Sequence, residues 1–237
     1  MGAGMAGLAG LSLAAFGMSN VHVCGDSTSS PNLDIDVTLT DGHPDAVQSN
    51  RICAQLTSHL YGCCDSNKER DDGDSNQSHN RINCQRLLWN DGEQGVSDCQ
   101  ALSNNGQDKY QLCLASDCVH FQEFHAALVA TIGRLLDVGG VCLLCQPRRA
   151  DSLDNFRKLI DAVNGSGSAD EQVFEMELHE RYDNKLWGLH QKELAKDDDV
   201  YDPNIHYPLV LVLRKVGDYK ENVHTTAAVK QVKERQK

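Results

Sequence analysis

Four short segments of this 237-residue chain carry residues suited to holding a nucleotide-like ligand. The first is the run GAGMAGLAGL, in which Gly2, Gly4 and Gly7 have G-x-G-x-x-G spacing. Glycine permits positive φ and a close approach of ligand to backbone, and the unpaired amides at the start of the following helix attract anionic groups. The motif alone is weak, because Gly/Ala-rich apolar runs also form buried helices and targeting segments.

The other three segments are apolar runs that end in a functional side chain. Asp41 ends VTLTD, Trp89 ends INCQRLLW, and Ser116 and Asp117 end YQLCLASD. Ligands of open α/β sheets bind outside the carboxyl ends of the strands. There Asp41 can accept hydrogen bonds from ribose hydroxyls and Trp89 can stack on an adenine ring. Singly, Asp41 is also a turn residue and Trp89 a core aromatic, but together these positions favour a nucleoside-containing cofactor.

The apolar periodicity predicts alternating strands and helices. Strands are expected at 37–41, 82–89, 110–116, 141–146, 171–180 and 209–213, and helices at 8–16, 44–60, 121–136 and 151–163, the last of these capped by Asp151 or Ser152. This alternation implies an α/β fold with a mainly parallel sheet and helices on both faces. The last two strands lack a long regular helix between them and are expected to pair as a closing hairpin.

Composition narrows the class of protein further. The net charge of −12 argues against non-specific nucleic-acid binding, and no run reaches the length of a membrane span. Three of the ten cysteines lie in apolar strands, which indicates reduced thiols in the cytoplasm or nucleus. Cys63, Cys64 and His79 lack zinc-ligand spacing, so no metal site is expected.

The domain organisation follows from the polar segments. We expect one domain over residues 1–216 and a charged tail at 217–237. Two loop insertions within the domain, 24–36 and 62–80, are expected to be disordered, because they lack enough apolar residues to fold. A monomer is expected.

Several longer runs resemble a known family. LASDCVHFQEFHAALVATIGRLL, VCLLCQPRRADSLDNF and NIHYPLVLVLRK are similar to the calmodulin-lysine N-methyltransferases, and GAGMAGLAGL, LTDGHPDAVQSN and LLWND extend the similarity towards the N-terminus. These enzymes are class I S-adenosylmethionine-dependent methyltransferases that modify lysines of non-histone proteins. The resemblance implies a Rossmann-like sheet and a protein substrate, calmodulin. It also implies a cofactor site for S-adenosylmethionine, with Gly2, Ala3 and Gly4 under the methionine part, Asp41 on the ribose, Trp89 beside the adenine and the Ser116 backbone along the wall.

For catalysis, the resemblance implies that Asp117 begins a D-x-x-Tyr/Phe motif at the entrance for the target lysine. The fourth position is His120 here, and Phe121 follows it. Arg148 and Arg149 follow the strand 141–146 and are expected to lie near Asp117, either as a basic patch that docks an acidic substrate or as an ordinary solvated pair in a loop.

One departure keeps other functions open. Family members carry a leading domain and a first strand before the glycines, whereas this sequence has only Met1 there, so both are expected to be missing. An inactive or truncated binding module is one alternative. An NAD-type oxidoreductase, which shares the glycine loop and the acid after the second strand, is the other.

Overall fold

The computed structural model describes residues 35–61, 81–104, 106–165, 172–196 and 200–221, and the single positions 10, 12 and 230. The chain divides into two units, Met1–Leu88 and Trp89–Lys237. The first contains β1 (Asp36–Asp41), α1 (Pro44–Tyr61) and β2 (Arg81–Arg86). The second contains α2 (Glu93–Leu102), β3 (Tyr110–Ser116), a 3₁₀ turn (Gln122–Phe124), α3 (His125–Leu135), β4 (Leu136–Gln146), α4 (Ser152–Val163), β5 (Phe174–His179), α5 (Asn184–Leu194), α6 (Pro203–His206) and β6 (Leu209–Lys215).

The first unit is a parallel strand–helix–strand arrangement. β1 and β2 pair in parallel, from Asp36 opposite Arg81 to Asp41 opposite Arg86, and α1 packs on both strands. Val37 and Leu39 are buried with Ala54 of α1. Gly10 is helical, and a Cβ at that position would collide with Leu39, so the absence of a side chain permits the contact with β1.

The second unit contains a four-stranded sheet of order β3-β4-β6-β5. β3 and β4 are parallel, whereas β6 is antiparallel to both β4 and β5. Consequently the carboxyl ends of β3, β4 and β5 and the start of β6 lie at one edge, which we call the carboxyl edge. The expected α/β class is confirmed, with a mixed sheet flanked by helices, and so is the antiparallel pairing of the last two strands. The expectation that no long helix separates those strands is wrong, because α5 and α6 lie between them.

Two further element boundaries differ from the sequence prediction. β4 begins at Leu136, directly after α3, and residues 137–140 bulge out of the ladder, because β3 advances two residues while β4 advances five. Gly139 has a φ of +86°, which suits glycine in such a bulge. The pair Gly139-Gly140 therefore lies inside a strand rather than ending a helix. α2 lies between the predicted strands 82–89 and 110–116, where no helix was expected.

The core of the second unit lies between the sheet and the amphipathic helix α4. Phe156 and Ile160 of α4 are fully buried with Leu144 and Leu211 of the sheet. Asp151 occupies the N-cap position of α4, but its side chain makes no capping hydrogen bond. The predicted cap position at Asp151 is therefore confirmed, but the cap acts through the Asp151 carbonyl, which accepts a hydrogen bond from the amide of Asn155.

Residues after β6 also contribute to this unit. Tyr219 packs against the core, and Glu221 forms an ion pair with Arg134 of α3. The seven cysteines in the described part of the chain are free thiols, as predicted. Among the described residues, no helix is long and apolar enough to cross a membrane.

A lysine is buried at the end of β6. Lys215 is 1 % exposed, and its Nζ donates hydrogen bonds of 2.7 and 2.8 Å to the carbonyls of Gly133 and Leu136, at the end of α3. Burial, with repulsion from Lys109, lowers the pKa of Lys215 to about 8, although Asp218 and Asp137 oppose the shift. Since the folded pKa lies below that of an unfolded lysine, about 10.4, the unfolded chain binds more protons between these two values.

We therefore predict that the contribution of Lys215 to the free energy of unfolding increases as pH rises through 8 towards 10. In urea titrations, the stability of the native chain relative to Lys215→Met should rise by about 1–2 kcal/mol between pH 7 and 9.5. Lys192→Met, which removes a lysine from the exposed surface of α5, is the matched control. A constant difference between the native chain and Lys215→Met across this range would contradict the prediction.

Candidate functional site

The predicted site residues are distributed over both units. Asp41 belongs to the first unit, whereas Trp89, Ser116, Asp117 and His120 belong to the second. Gly2, Ala3 and Gly4 lie outside the described residues.

Asp41 is the last residue of β1 and is 3 % exposed. Its Oδ1 accepts a 2.8 Å hydrogen bond from the amide of His43, and its carbonyl accepts one of 3.0 Å from the amide of Leu87. Arg86 Nε donates to the carbonyl of Gly42 at 3.0 Å, so the end of β2 holds the turn after β1 in place. A buried carboxylate fixed at a strand end is suited to accept hydrogen bonds from the hydroxyls of a ribose.

Trp89 is partly buried and packs against the core of the second unit. It lies beyond β2, which ends at Arg86, three residues earlier than predicted. The loop that follows it is held by Arg134, whose guanidinium donates to the carbonyls of Asn90 and Asp91. Glu221 accepts two 2.7 Å hydrogen bonds from the same guanidinium. Hydrogen bonds from this cluster therefore fix the backbone of the loop after Trp89, in addition to the packing of the indole against the core.

Gly95 allows α2 to lie close to Arg134. A Cβ on Gly95 of α2 would collide with the Asn90 carbonyl and the Arg134 guanidinium. The close approach of α2 to this loop therefore requires a residue without a side chain at position 95.

The loop after β3 is fixed by the side chain of Gln146, the last residue of β4. Gln146 is fully buried, and its Oε1 accepts a 3.2 Å hydrogen bond from the amide of Val119. Its Nε2 donates to Cys118 Sγ at 3.3 Å. Burial, with the neighbouring Cys113, raises the pKa of Cys118 to about 12, so this sulfur is a neutral thiol that serves as an acceptor. One amide thus holds two successive residues of the loop.

The carbonyl of Val119 is held from the opposite side. His125 Nε2 donates to it at 2.8 Å, and the Ser152 hydroxyl also donates to it. His125 and Ser152 are both buried, and the His125 ring packs edge-on against Phe156. The first residues of α3 and α4 therefore converge on the loop that carries Asp117 and His120.

Asp117 and His120 themselves are directed towards solvent. Asp117 follows Ser116, the exposed last residue of β3, and its side chain is 47 % exposed. Its carboxylate accepts hydrogen bonds from Arg149 at 2.7 and 3.3 Å. His120 is exposed, and its ring centroid lies 4.8 Å from that of Phe121. The structure thus brings Ser116, Asp117 and His120 together at the carboxyl edge.

The two arginines expected to form a basic patch are both engaged by acids. Arg149 pairs with Asp117, and Arg148 pairs with Glu180 and with Asp154. Three carboxylates surround two guanidinium groups, so this group of side chains carries no net positive charge. The structure does not support a basic docking patch here.

Taken together, the mixed sheet and the helices that flank it are consistent with a Rossmann-like methyltransferase fold. Comparison with known proteins shows what the chain is similar to. Residues 57–163 match the family described as lysine methyltransferase. The chain is also similar to a calmodulin-lysine N-methyltransferase of Arabidopsis thaliana, with 28 % identity over 181 residues, which are 74 % of this chain and 48 % of that protein. The chain thus spans about half the length of the curated relative that it matches. The resemblance inferred from the sequence is confirmed.

Sequence reasoning missed the residues that hold the site. Gln146, His125 and Arg134 had no predicted role, and Ser152 was predicted only as a candidate cap of its helix. Gln146 carried a usable signal, because a single amide ends the otherwise apolar run VCLLCQ. A buried amide at the end of a strand must find hydrogen-bond partners, and the nearest unpaired backbone is that of the neighbouring loop.

We predict that Gln146→Leu destabilises the fold by about 1–3 kcal/mol, because it leaves the Val119 amide buried without a partner. Chemical denaturation would measure the change, and hydrogen exchange should show that the Val119 amide has lost protection. Gln111→Leu, at an exposed position of β3, is the matched control and should change stability by no more than about 0.5 kcal/mol. Unchanged protection of Val119 in Gln146→Leu would contradict the assigned role.

Proposed function

We propose that this chain transfers a methyl group from S-adenosylmethionine to the ε-amine of a lysine in a protein substrate, calmodulin. The observation that carries the proposal is the acidic turn at Asp117, at the carboxyl edge of the sheet, in a segment that matches the lysine methyltransferases. The name of the Arabidopsis relative supports calmodulin as the substrate.

The described residues fit the proposed cofactor. A ribose presents two hydroxyl donors, and the carboxylate of Asp41, buried at the end of β1, is a group that accepts hydrogen bonds from such donors. Trp89 is held at a loop whose backbone is fixed by Arg134, and its partly buried ring suits an adenine. Asp41 would hold the ribose and Trp89 would lie beside the adenine.

When bound, S-adenosylmethionine supplies a methyl group on a positively charged sulfur, and the sulfur–carbon bond breaks, with the electron pair leaving on the sulfide, as the nitrogen–carbon bond forms. The protein needs no acid for this leaving group, so its contribution is to position the amine. A lysine is charged at neutral pH, and its proton must pass to water before its lone pair can attack. The Asp117 carboxylate can accept a hydrogen bond from the amine and direct that lone pair.

His120 is proposed to line the entrance for the lysine. Its ring lies against Phe121 and is exposed at the same loop as Asp117. An aromatic pair at the entrance gives the aliphatic part of a lysine side chain a surface to pack on.

We predict that Asp41→Asn weakens binding of S-adenosylhomocysteine by about 1–3 kcal/mol, measured by calorimetry. The asparagine oxygen can still accept from the His43 amide, so the turn is retained while acceptor capacity for the ribose is lost. Asp36→Asn, at the exposed start of the same strand, is the matched control and should bind as the native chain does. Equal affinity in Asp41→Asn and the native chain would remove Asp41 from the site.

The reaction itself is tested by incubating the chain with S-adenosylmethionine and calmodulin and locating methyl-lysine by mass spectrometry. Binding of NADH with no binding of S-adenosylhomocysteine would overturn the proposal in favour of an oxidoreductase. Methylation of other proteins but not calmodulin would retain the reaction and reject the substrate.

A further inference from the structure

The ion pair between Asp117 and Arg149 joins the ends of two neighbouring strands. Asp117 directly follows β3, and Arg149 lies three residues beyond Gln146, where the parallel strand β4 ends. Arg149 Nη2 donates to Oδ2 at 2.7 Å, and Arg149 Nε approaches Oδ1 at 3.3 Å. Both oxygens of the carboxylate are thus engaged by one planar guanidinium, which fixes the direction of the carboxylate as well as its position.

The backbone at this ion pair is unusual. Four non-glycine residues in the described part of the chain have positive φ, and three of them are Asp117 (+46°), Arg149 (+50°) and Ala150 (+55°). The amide of Asp117 donates to the Cys145 carbonyl at 3.0 Å, and that of Arg149 donates to the Asn204 carbonyl at 2.9 Å. Both strained turns are therefore held by the strands and loops around them, as is typical of functional sites.

We propose that Arg149 is a positioning residue that orients the Asp117 carboxylate and, by its charge, favours the neutral form of the lysine amine that meets this carboxylate. The inference rests on the proposed function. A carboxylate has about four acceptor sites, of which Arg149 uses two. Because the Asp117 side chain is about half exposed, an incoming amine can still reach the remaining sites.

Arg149 favours the neutral amine through its positive charge. An isolated carboxylate stabilises the ammonium form of a nearby lysine, and an ammonium has no lone pair with which to attack. A guanidinium on the same carboxylate offsets that effect. Hydrogen bonding to Asp117 raises the pKa of Arg149, so the guanidinium stays charged throughout the working range of pH.

Other charges at the carboxyl edge do not replace Arg149. Arg148, the neighbouring cation, is engaged by Glu180 and Asp154. Among the described residues, Arg149 is the cation within ion-pair distance of Asp117. Further ionisable groups lie on the segments that meet at this edge, and they include His120, Glu123, Cys145, Asp151, His179, Arg181, Tyr182, Asp183, Asp202 and His206.

The test is the pH dependence of kcat, with calmodulin and S-adenosylmethionine as substrates. Arg149→Gln should lower kcat about tenfold at pH 7 and move the rising limb of the kcat profile about one pH unit higher, with KM unchanged or lower. Arg149→Lys keeps the charge but loses the two-point contact, so its limb should stay within a few tenths of a unit of the native position while kcat falls less. Arg148→Gln, next in sequence, is the matched control and should leave the limb in place.

A merely structural ion pair gives a different result. Arg149→Gln would then lower kcat and the thermal midpoint together without moving the limb, and this outcome overturns the inference. Arg149→Met, a second neutral replacement, is assayed if Arg149→Gln does not fold, and an unmoved limb in Arg149→Met likewise overturns the inference. The native chain is assayed first, by calorimetry with S-adenosylhomocysteine and by lysine methylation. Failure of the native chain in both assays overturns the proposed function and the inference with it, whereas an active native chain whose limb coincides with that of Arg149→Gln overturns the inference alone.

Discussion

The arrangement of the candidate site depends on one constraint, which is that the backbone of the loop after β3 is buried and must be hydrogen-bonded. Val119 is fully buried, and its amide and carbonyl are satisfied by side chains from three elements: Gln146 of β4, His125 of α3 and Ser152 of α4. An unpaired buried backbone group costs about as much as a lost hydrogen bond, so the amide requires Gln146 and the carbonyl requires at least one of His125 and Ser152. Through these partners, the position of Asp117 two residues earlier is tied to the core of the second unit.

Arg134 satisfies partly buried backbone groups in the same way in the loop after Trp89. The loop after Trp89 has no strand partner, and its carbonyls at Asn90 and Asp91 are satisfied by a guanidinium whose side chain is 6 % exposed. A buried guanidinium is tolerated only when its charge and its donors are matched, and Glu221 supplies the charge. Residues beyond β6, which the sequence indicated to be a charged tail, are therefore linked to the loop that carries a predicted cofactor contact.

The sequence revealed the parts of the fold that hydrophobic patterning controls. The strands at 37–41, 110–116 and 209–213 were recognisable because apolar runs end at polar residues, and α4 because Phe156 and Ile160 recur at helical spacing. α2 and α5 were missed because their buried contacts are few: α2 buries only Gly95 and Cys99, and α5 only His190. Helices of that kind are stabilised by tertiary contacts rather than by a continuous apolar stripe, and single-sequence periodicity does not detect such contacts.

The candidate site, like the fold, contains some residues that the sequence indicated and others that it did not. Asp41 and Asp117 could be placed at strand ends, because the end of an apolar run is visible in the sequence. The residues that pair with them could not be predicted. The pairing of Asp117 with Arg149, for example, depends on β3 and β4 being parallel neighbours. Arg148 and Arg149 are adjacent in sequence and were given one shared role, yet they pair with different acids from different elements. Adjacent residues beyond a strand point in different directions, so a pair of like charges in sequence is not by itself a patch.

Stability alone does not account for the Asp117–Arg149 pair. A partly exposed ion pair contributes about 0–1 kcal/mol, whereas left-handed backbone at a non-glycine residue costs on the order of 1 kcal/mol or more, and three such residues occur here. Aspartate tolerates this conformation better than most residues, but arginine and alanine have no such advantage. The local balance is therefore unfavourable, and the surrounding hydrogen bonds to the carbonyls of Cys145 and Asn204 must maintain it. The strained turn that presents the Asp117 carboxylate to solvent is therefore better explained by the proposed binding of the substrate amine than by a contribution to the stability of the fold.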